Sequence, residues 1–136
     1  MKKIKISQIV FIVYITILLY ITVVRNLQFR GRDINLQLFV GYIPIIRSSI
    51  PRFIYLLIGN IIWFVPLGFY LAVYKRKPFW ITILYGFLLS LFIETMQYVL
   101  GTGVSELDDL ILNTLGCIIG QCAGACYLAY VHPQSP

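Results

Sequence analysis

The sequence predicts an all-α integral membrane protein of about four transmembrane helices, with an outer interfacial or re-entrant segment between helices 1 and 2. Three observations predict it. Of the 136 residues, 60% are hydrophobic and 12% charged; a soluble domain carries roughly 25% charged residues. Four apolar runs reach or approach the ~20 residues that cross a bilayer. The 11 Lys and Arg, set against 5 Asp and Glu, gather in groups beside those runs. This composition leaves too little polar surface to coat a soluble core. It argues against a soluble enzyme, a disordered tail and a secreted disulfide scaffold. Continuously apolar runs also argue against a membrane β-barrel, whose strands alternate. The net charge of +6 comes without an aromatic–basic RNA motif. It fits orientation signals and anionic headgroups rather than nucleic acid.

Span one is Ser7–Val24, preceded by Lys2, Lys3 and Lys5. A basic start before an apolar stretch resembles a signal peptide, but Val24-Arg25-Asn26-Leu27 offers no small-residue cleavage site, so an uncleaved first helix is expected. The segment Arg25–Arg52 follows, with a 13-residue apolar run, Ile34–Ile46, too short to span. Span two is Phe53–Tyr74; Pro66 inside it predicts a kink. Lys75-Arg76-Lys77-Pro78 ends it. Span three is Phe79–Leu100, with Phe79 and Trp80 suited to an interfacial belt. Span four is Leu110–Val131. The whole chain, 1–136, reads as one domain. The dense basic turn after span two places both termini in the cytoplasm, although Arg25, Arg30, Arg32, Arg47 and Arg52 lie on the other side.

The polar residues of the spans share a depth. At a rise of 1.5 Å per residue, Glu94 lies roughly 9 Å below the outer end of span three and Asn60 roughly 10 Å below that of span two. Gln97 is about one turn above Glu94. Asn113 is one turn beyond Asp109. Asn60, Glu94, Gln97, Asp109 and Asn113 are therefore the candidates for an outer-leaflet polar pocket. An intramembrane acid costs several kcal/mol unless it is protonated, paired or hydrated, which makes Glu94 a functional candidate. The bland alternative is a neutral acid that bonds Asn60 or Asn113 and joins helices.

Ser105-Glu106-Leu107-Asp108 resembles a capping box opening span four. The arginines of Arg25–Arg52, Arg47 and Arg52 among them, offer forked donors to headgroups or to a phosphorylated lipid. Gly116, Gly120 and Gly124 form a small-residue ridge for close packing against a helix of this chain or of a second copy. Cys117, Cys122 and Cys126 match no zinc or redox spacing and read as small packing residues. No metal or cofactor signature is present, and the single histidine, His132, lies on the side opposite the carboxylates.

Three blocks resemble the VanZ-like family of bacterial membrane proteins. Asn35-Leu36-Gln37-Leu38-Phe39 is similar to the family's Asn-Leu-x-Pro-Phe. Gly59-Asn60-Ile61-Ile62-Trp63-Phe64-Val65-Pro66-Leu67-Gly68 is similar to its Asn-x-x-x-Phe-x-Pro-x-Gly. Ser90, Glu94 and Gln97, then Asp109, Asn113-Thr114-x-Gly116 and Gly120, match its Ser-x-x-x-Glu-x-x-Gln and Asp-x-x-x-Asn-Thr-x-Gly-x-x-x-Gly. The chain departs from the pattern at Leu38, where Pro is usual, and at Gly103-Val104-Ser105, where many members carry an Arg. The resemblance implies a plasma-membrane protein of Gram-positive type. It also implies low-level resistance to teicoplanin, with little effect on vancomycin.

The leading functional expectation is a contribution to teicoplanin and lipoglycopeptide resistance, in which an outer polar pocket engages envelope lipids or precursors without catalysis. The partners implied are membrane lipids, a cell-wall precursor lipid or the lipoglycopeptide itself, and a second copy of the chain at the glycine ridge. The alternative is a membrane enzyme on a lipid-phosphate substrate, with Glu94 as general acid/base and Asp109 orienting a water or cation. A transporter component is a third reading, weakened by the off-centre position of Glu94.

Overall fold

The computed structural model describes residues 5–24 and 31–132. Four helices within them are long and apolar enough to cross a membrane: Ile6–Val24, Ile50–Val73, Phe79–Leu100 and Leu107–Val131. The first consists of α1 (Ile6–Leu19) and a π-helical turn, Tyr20–Val24. The others are α3 (Ile50–Val73), α4 (Phe79–Leu100) and α5 (Leu107–Val131). The protein is a multi-pass helical membrane protein.

Two spans start three residues earlier than hydropathy alone predicts. α3 opens at Ile50 because the Ser49 side chain accepts from Arg52 N, and Pro51 fits a first turn that needs no N–H. α5 opens at Leu107, so its first turn carries Asp108 and Asp109, where acids suit the helix dipole. The predicted capping box at Ser105 does not form. Ser105 and Glu106 are extended instead, and Glu106 holds the N-cap position with no side-chain cap bond. α3 continues through Pro66 to Val73, although the missing N–H leaves the Ile62 carbonyl without its helical partner.

Between spans one and two, the described residues 31–49 hold two short elements. Residues Asp33–Asn35 form a short strand, β1, and Tyr42–Ser48 a two-turn helix, α2. β1 pairs in parallel with β2 (Val104–Glu106), with Ile34 opposite Ser105 and Asn35 opposite Glu106. Strand pairing satisfies backbone groups that a loop at a membrane surface would leave open. The result is a cap over one end of the bundle, where α3 and α5 begin and α4 ends. Gly101 closes α4 in the left-handed conformation (φ 63°) that glycine accepts without strain, and the Thr102 amide donates to the Gln97 carbonyl. The opposite end holds Lys5, the Lys75–Lys77 turn and His132.

α5 packs along α3, with α4 against its other side. The predicted glycine ridge sits in that first seam. A Cβ on Gly116 would overlap the Ile61 carbonyl, and one on Gly120 the Val65 carbonyl; one on Gly124 would press on Ala72. Gly68 of α3 answers from the other side, against the Cys117 carbonyl. The ridge is thus filled within the chain, and pairing of two copies through it would require that seam to open. Phe64, Leu67, Leu71, Ile93 and Cys117 form the core beside it, joined by Leu18 of α1. Cys117 is the packing residue expected, seated against Gly86 with its thiol donating to the Thr82 carbonyl; Cys122 and Cys126 are exposed.

α1 is attached mainly near its cap end. Leu18 and Val23 are buried there, whereas Ile6 is 80% and Val10 63% exposed. Lower down, Phe11 stacks on Tyr70 with ring centroids 3.8 Å apart, and the Tyr14 hydroxyl donates to the Trp63 carbonyl.

Candidate functional site

The cap is held by acids. Asp109, in the first turn of α5, accepts a short hydrogen bond from the Asn60 amide of α3. Tyr42, the first residue of α2, closes the group: its hydroxyl donates to Asp109 and accepts from Asn60 Nδ2 at 3.5 Å. Burial raises the Tyr42 hydroxyl above its ordinary range, and the carboxyls of Asp109, Glu106 and Asp108 raise it further. Tyr42 therefore stays protonated and serves as a donor.

Asp108, one residue earlier, is buried. Its two carboxylate oxygens accept from the Phe39 amide, each at 2.9 Å. Phe39 has φ 59°, a left-handed conformation unusual for an aromatic residue. The Asp108 bond holds the Gln37–Gly41 turn in that shape. On the facing helix, buried Glu94 of α4 accepts from the Glu106 amide at 2.9 Å and from the Ser105 hydroxyl. It fixes β2, and through the ladder β1. Within the same turn region the Asn35 side chain accepts from the Gln37 amide at 3.0 Å. The Glu106 carboxyl lies against Gly41, with Asn35 beside it.

A buried carboxyl without partners would cost several kcal/mol in this setting. Here Glu94, Asp108 and Asp109 each receive a protein donor. Glu94 does not bond Asn60 or Asn113, the partners expected of a simple helix-joining acid. Its partners are backbone and hydroxyl groups of the cap. Glu94 and Glu106 also reach a cavity of about 260 Å³. Its walls are otherwise mostly apolar, built from Ile34, Leu36, Leu91, Tyr98 and Leu110, with Thr95 and Ser105 among them.

The five-residue set predicted from depth is thus divided. Asn60 and Asp109 meet, whereas Glu94 bonds the cap. Gln97 turns away: its Nε2 donates to the Thr22 carbonyl at 3.1 Å and ties α4 to the π-helical turn. Asn113 faces α4, where its Nδ2 donates to Ser90 Oγ at 2.9 Å. Arg47 and Arg52 are exposed at the end of α2 and the start of α3; the cluster's hydrogen bonds come from other groups. Arg25 and Arg30 lie outside the described residues. Among the described residues no group of three or more His, Cys, Asp or Glu is arranged to hold a metal ion.

Sequence reasoning missed Tyr42, Asp108 and Ser105 as members of the site. The block Asn35-Leu36-Gln37-Leu38-Phe39 was the available pointer, since Asn35 sits opposite Glu106 and Phe39 bonds Asp108.

Fold and site together define a class: a four-span helical membrane protein whose first long connection is locked onto buried acids at one end of the bundle. All three sequence blocks contribute residues to that lock. The chain belongs to the VanZ/LLP1 family, whose model matches residues 11–128. No curated protein and no solved structure matches it significantly.

Proposed function

We propose that this VanZ/LLP1 family member contributes to resistance to teicoplanin and related lipoglycopeptides by engaging an envelope lipid or lipid-linked wall precursor at the cap, without catalysis. The observation that carries this reading is the cavity of about 260 Å³ in which Glu94 and Glu106 meet apolar walls. Apolar walls accept hydrocarbon, and convergent acids accept hydrogen bonds from hydroxyl, amide or amine groups of a headgroup. The cap acids favour binding over turnover: Glu94, Asp108 and Asp109 keep lone pairs for a further donor, but taking up a substrate proton would weaken the bonds by which they hold the cap.

The cap end faces outward in this proposal, with both termini in the cytoplasm. The support is the density of Lys75, Arg76 and Lys77 in one short turn at the opposite end. The test is teicoplanin and vancomycin susceptibility of a teicoplanin-sensitive Gram-positive host expressing the chain or its Glu94→Gln variant at matched membrane abundance. The expected result is increased tolerance to teicoplanin alone, reduced in the variant. Unchanged susceptibility with the protein present in the membrane would overturn the resistance reading. Product formed from labelled polyprenyl phosphates by the purified protein would overturn the non-catalytic one.

A further inference from the structure

At the end opposite the acids, α1 stands off the bundle and leaves a groove on each flank, each of about 650 Å³. Both lie within the size range of ligand sites. The two differ in charge. The flank toward α3 alone, lined by Val10, Val65 and Phe69, has no basic residue among its described lining residues. The flank toward α4 is walled by Phe11, Ile12, Tyr85 and Leu89, with Lys75 and Lys77 at its mouth. From Lys75 back to Leu67 on α3, both of which line the groove, is eight residues, so the wall runs roughly 12 Å inward from the basic turn. Lys75 is held there, its ammonium 5.7 Å from the centre of the Tyr70 ring.

We infer that the α1–α4 groove binds one anionic phospholipid, an acyl chain along the apolar wall and the phosphate between Lys75 and Lys77. Charge complementarity selects this occupant. Two ammonium groups at the rim of an apolar slot match a phosphate joined to a hydrocarbon chain, and basic pockets between membrane helices retain such headgroups. A zwitterionic lipid would fill the slot equally well but gain less at its mouth. The site is independent of the cap and of the function proposed for it.

The test is lipid retention by the full-length protein in native mass spectrometry, with phosphatidylglycerol and phosphatidylcholine of identical chains. One phosphatidylglycerol per chain should be retained in preference. Lys75→Gln and Lys77→Gln should each reduce the preference roughly fivefold. Arg76→Gln removes the same charge from the same turn but not from the groove lining, and should leave the preference in place. Ile12→Trp, which fills this groove, should lower retention; Val10→Trp, which fills the uncharged groove, should not. Equal retention of the two lipids overturns the inference. So does an Arg76→Gln loss as large as the lysine losses, which would mean diffuse surface charge. Dimers that form at the expense of bound lipid would assign the groove to a second copy and also overturn it.

Discussion

Asn60 of α3 donates to Asp109 of α5 at the cap end of the helix pair whose lower turns close over Gly116, Gly120 and Gly124. The pair joins two kinds of contact in one seam. Glycine brings the backbones together, and an amide–carboxyl bond fixes their register where polar groups approach the membrane surface. Asn60→Leu leaves Asp109 with one donor fewer and should lower stability by about 1–2 kcal/mol. Asn60→Leu combined with Asp109→Leu removes both partners and should cost less than the sum of the single losses. Unfolding in detergent, run as a double-mutant cycle, checks this. Additive losses would mean the two residues are not coupled.

The seam should be intolerant of a single methyl group. Gly120→Ala places its Cβ on the Val65 carbonyl and Gly116→Ala on that of Ile61, both rigid helix backbone. Each is expected to cost about 1–3 kcal/mol as overpacking. Gly59 also lies in α3, but a Cβ there would meet nothing within 4 Å. Gly59→Ala should therefore be neutral or stabilising by up to ~1 kcal/mol through helix propensity. Thermal stability of the three variants decides it; equal behaviour would refute the packing assignment.

The cap should come loose in two separable places. Asp108→Ala removes the acceptor of the Phe39 amide, and Glu94→Ala that of the Glu106 amide. Hydrogen exchange should therefore accelerate first at Phe39 in one variant and at Glu106 in the other. Glu94→Gln keeps a carbonyl oxygen and should protect Glu106 nearly as well as wild type. Identical exchange patterns in the two alanine variants would show that the cap opens as one unit.

The spans were legible because uninterrupted apolar length is a local property. Their starts were less so. Hydropathy alone starts span four at Leu110; the capping-box pattern at Ser105–Asp108 already put the acids at its opening, and α5 keeps Asp108 and Asp109 in its first turn although Ser105 does not cap it. Depth counting brought Asn60 and Asp109 together correctly, since the rise per residue sets height along a helix. It sets no direction around the helix, which is why Gln97 turns to Thr22 and Asn113 to Ser90. The Phe39–Asp108 link was out of reach. It joins a backbone amide to an acid 69 residues away, so the Asn35–Phe39 block could mark the turn but not name its partner.

Tyr42 should give the cap a stability that depends on alkaline pH. Burial and the neighbouring carboxyls raise its hydroxyl above the ordinary value of 10.0, so the folded state holds this proton more tightly than the unfolded chain does. A group raised in this way contributes fully below its unfolded value, and the contribution is lost as pH climbs beyond it. The wild-type protein should therefore lose stability above about pH 10 by an increment that Tyr42→Phe lacks. At neutral pH the variant should already be weaker, because Asp109 and Asn60 lose the hydroxyl between them. The two stability curves should converge as pH rises. With ten tyrosines in the chain, the difference between wild type and variant is the informative quantity. A gap that stays constant from neutral to strongly alkaline pH would show that Tyr42 does not hold its proton in the cap.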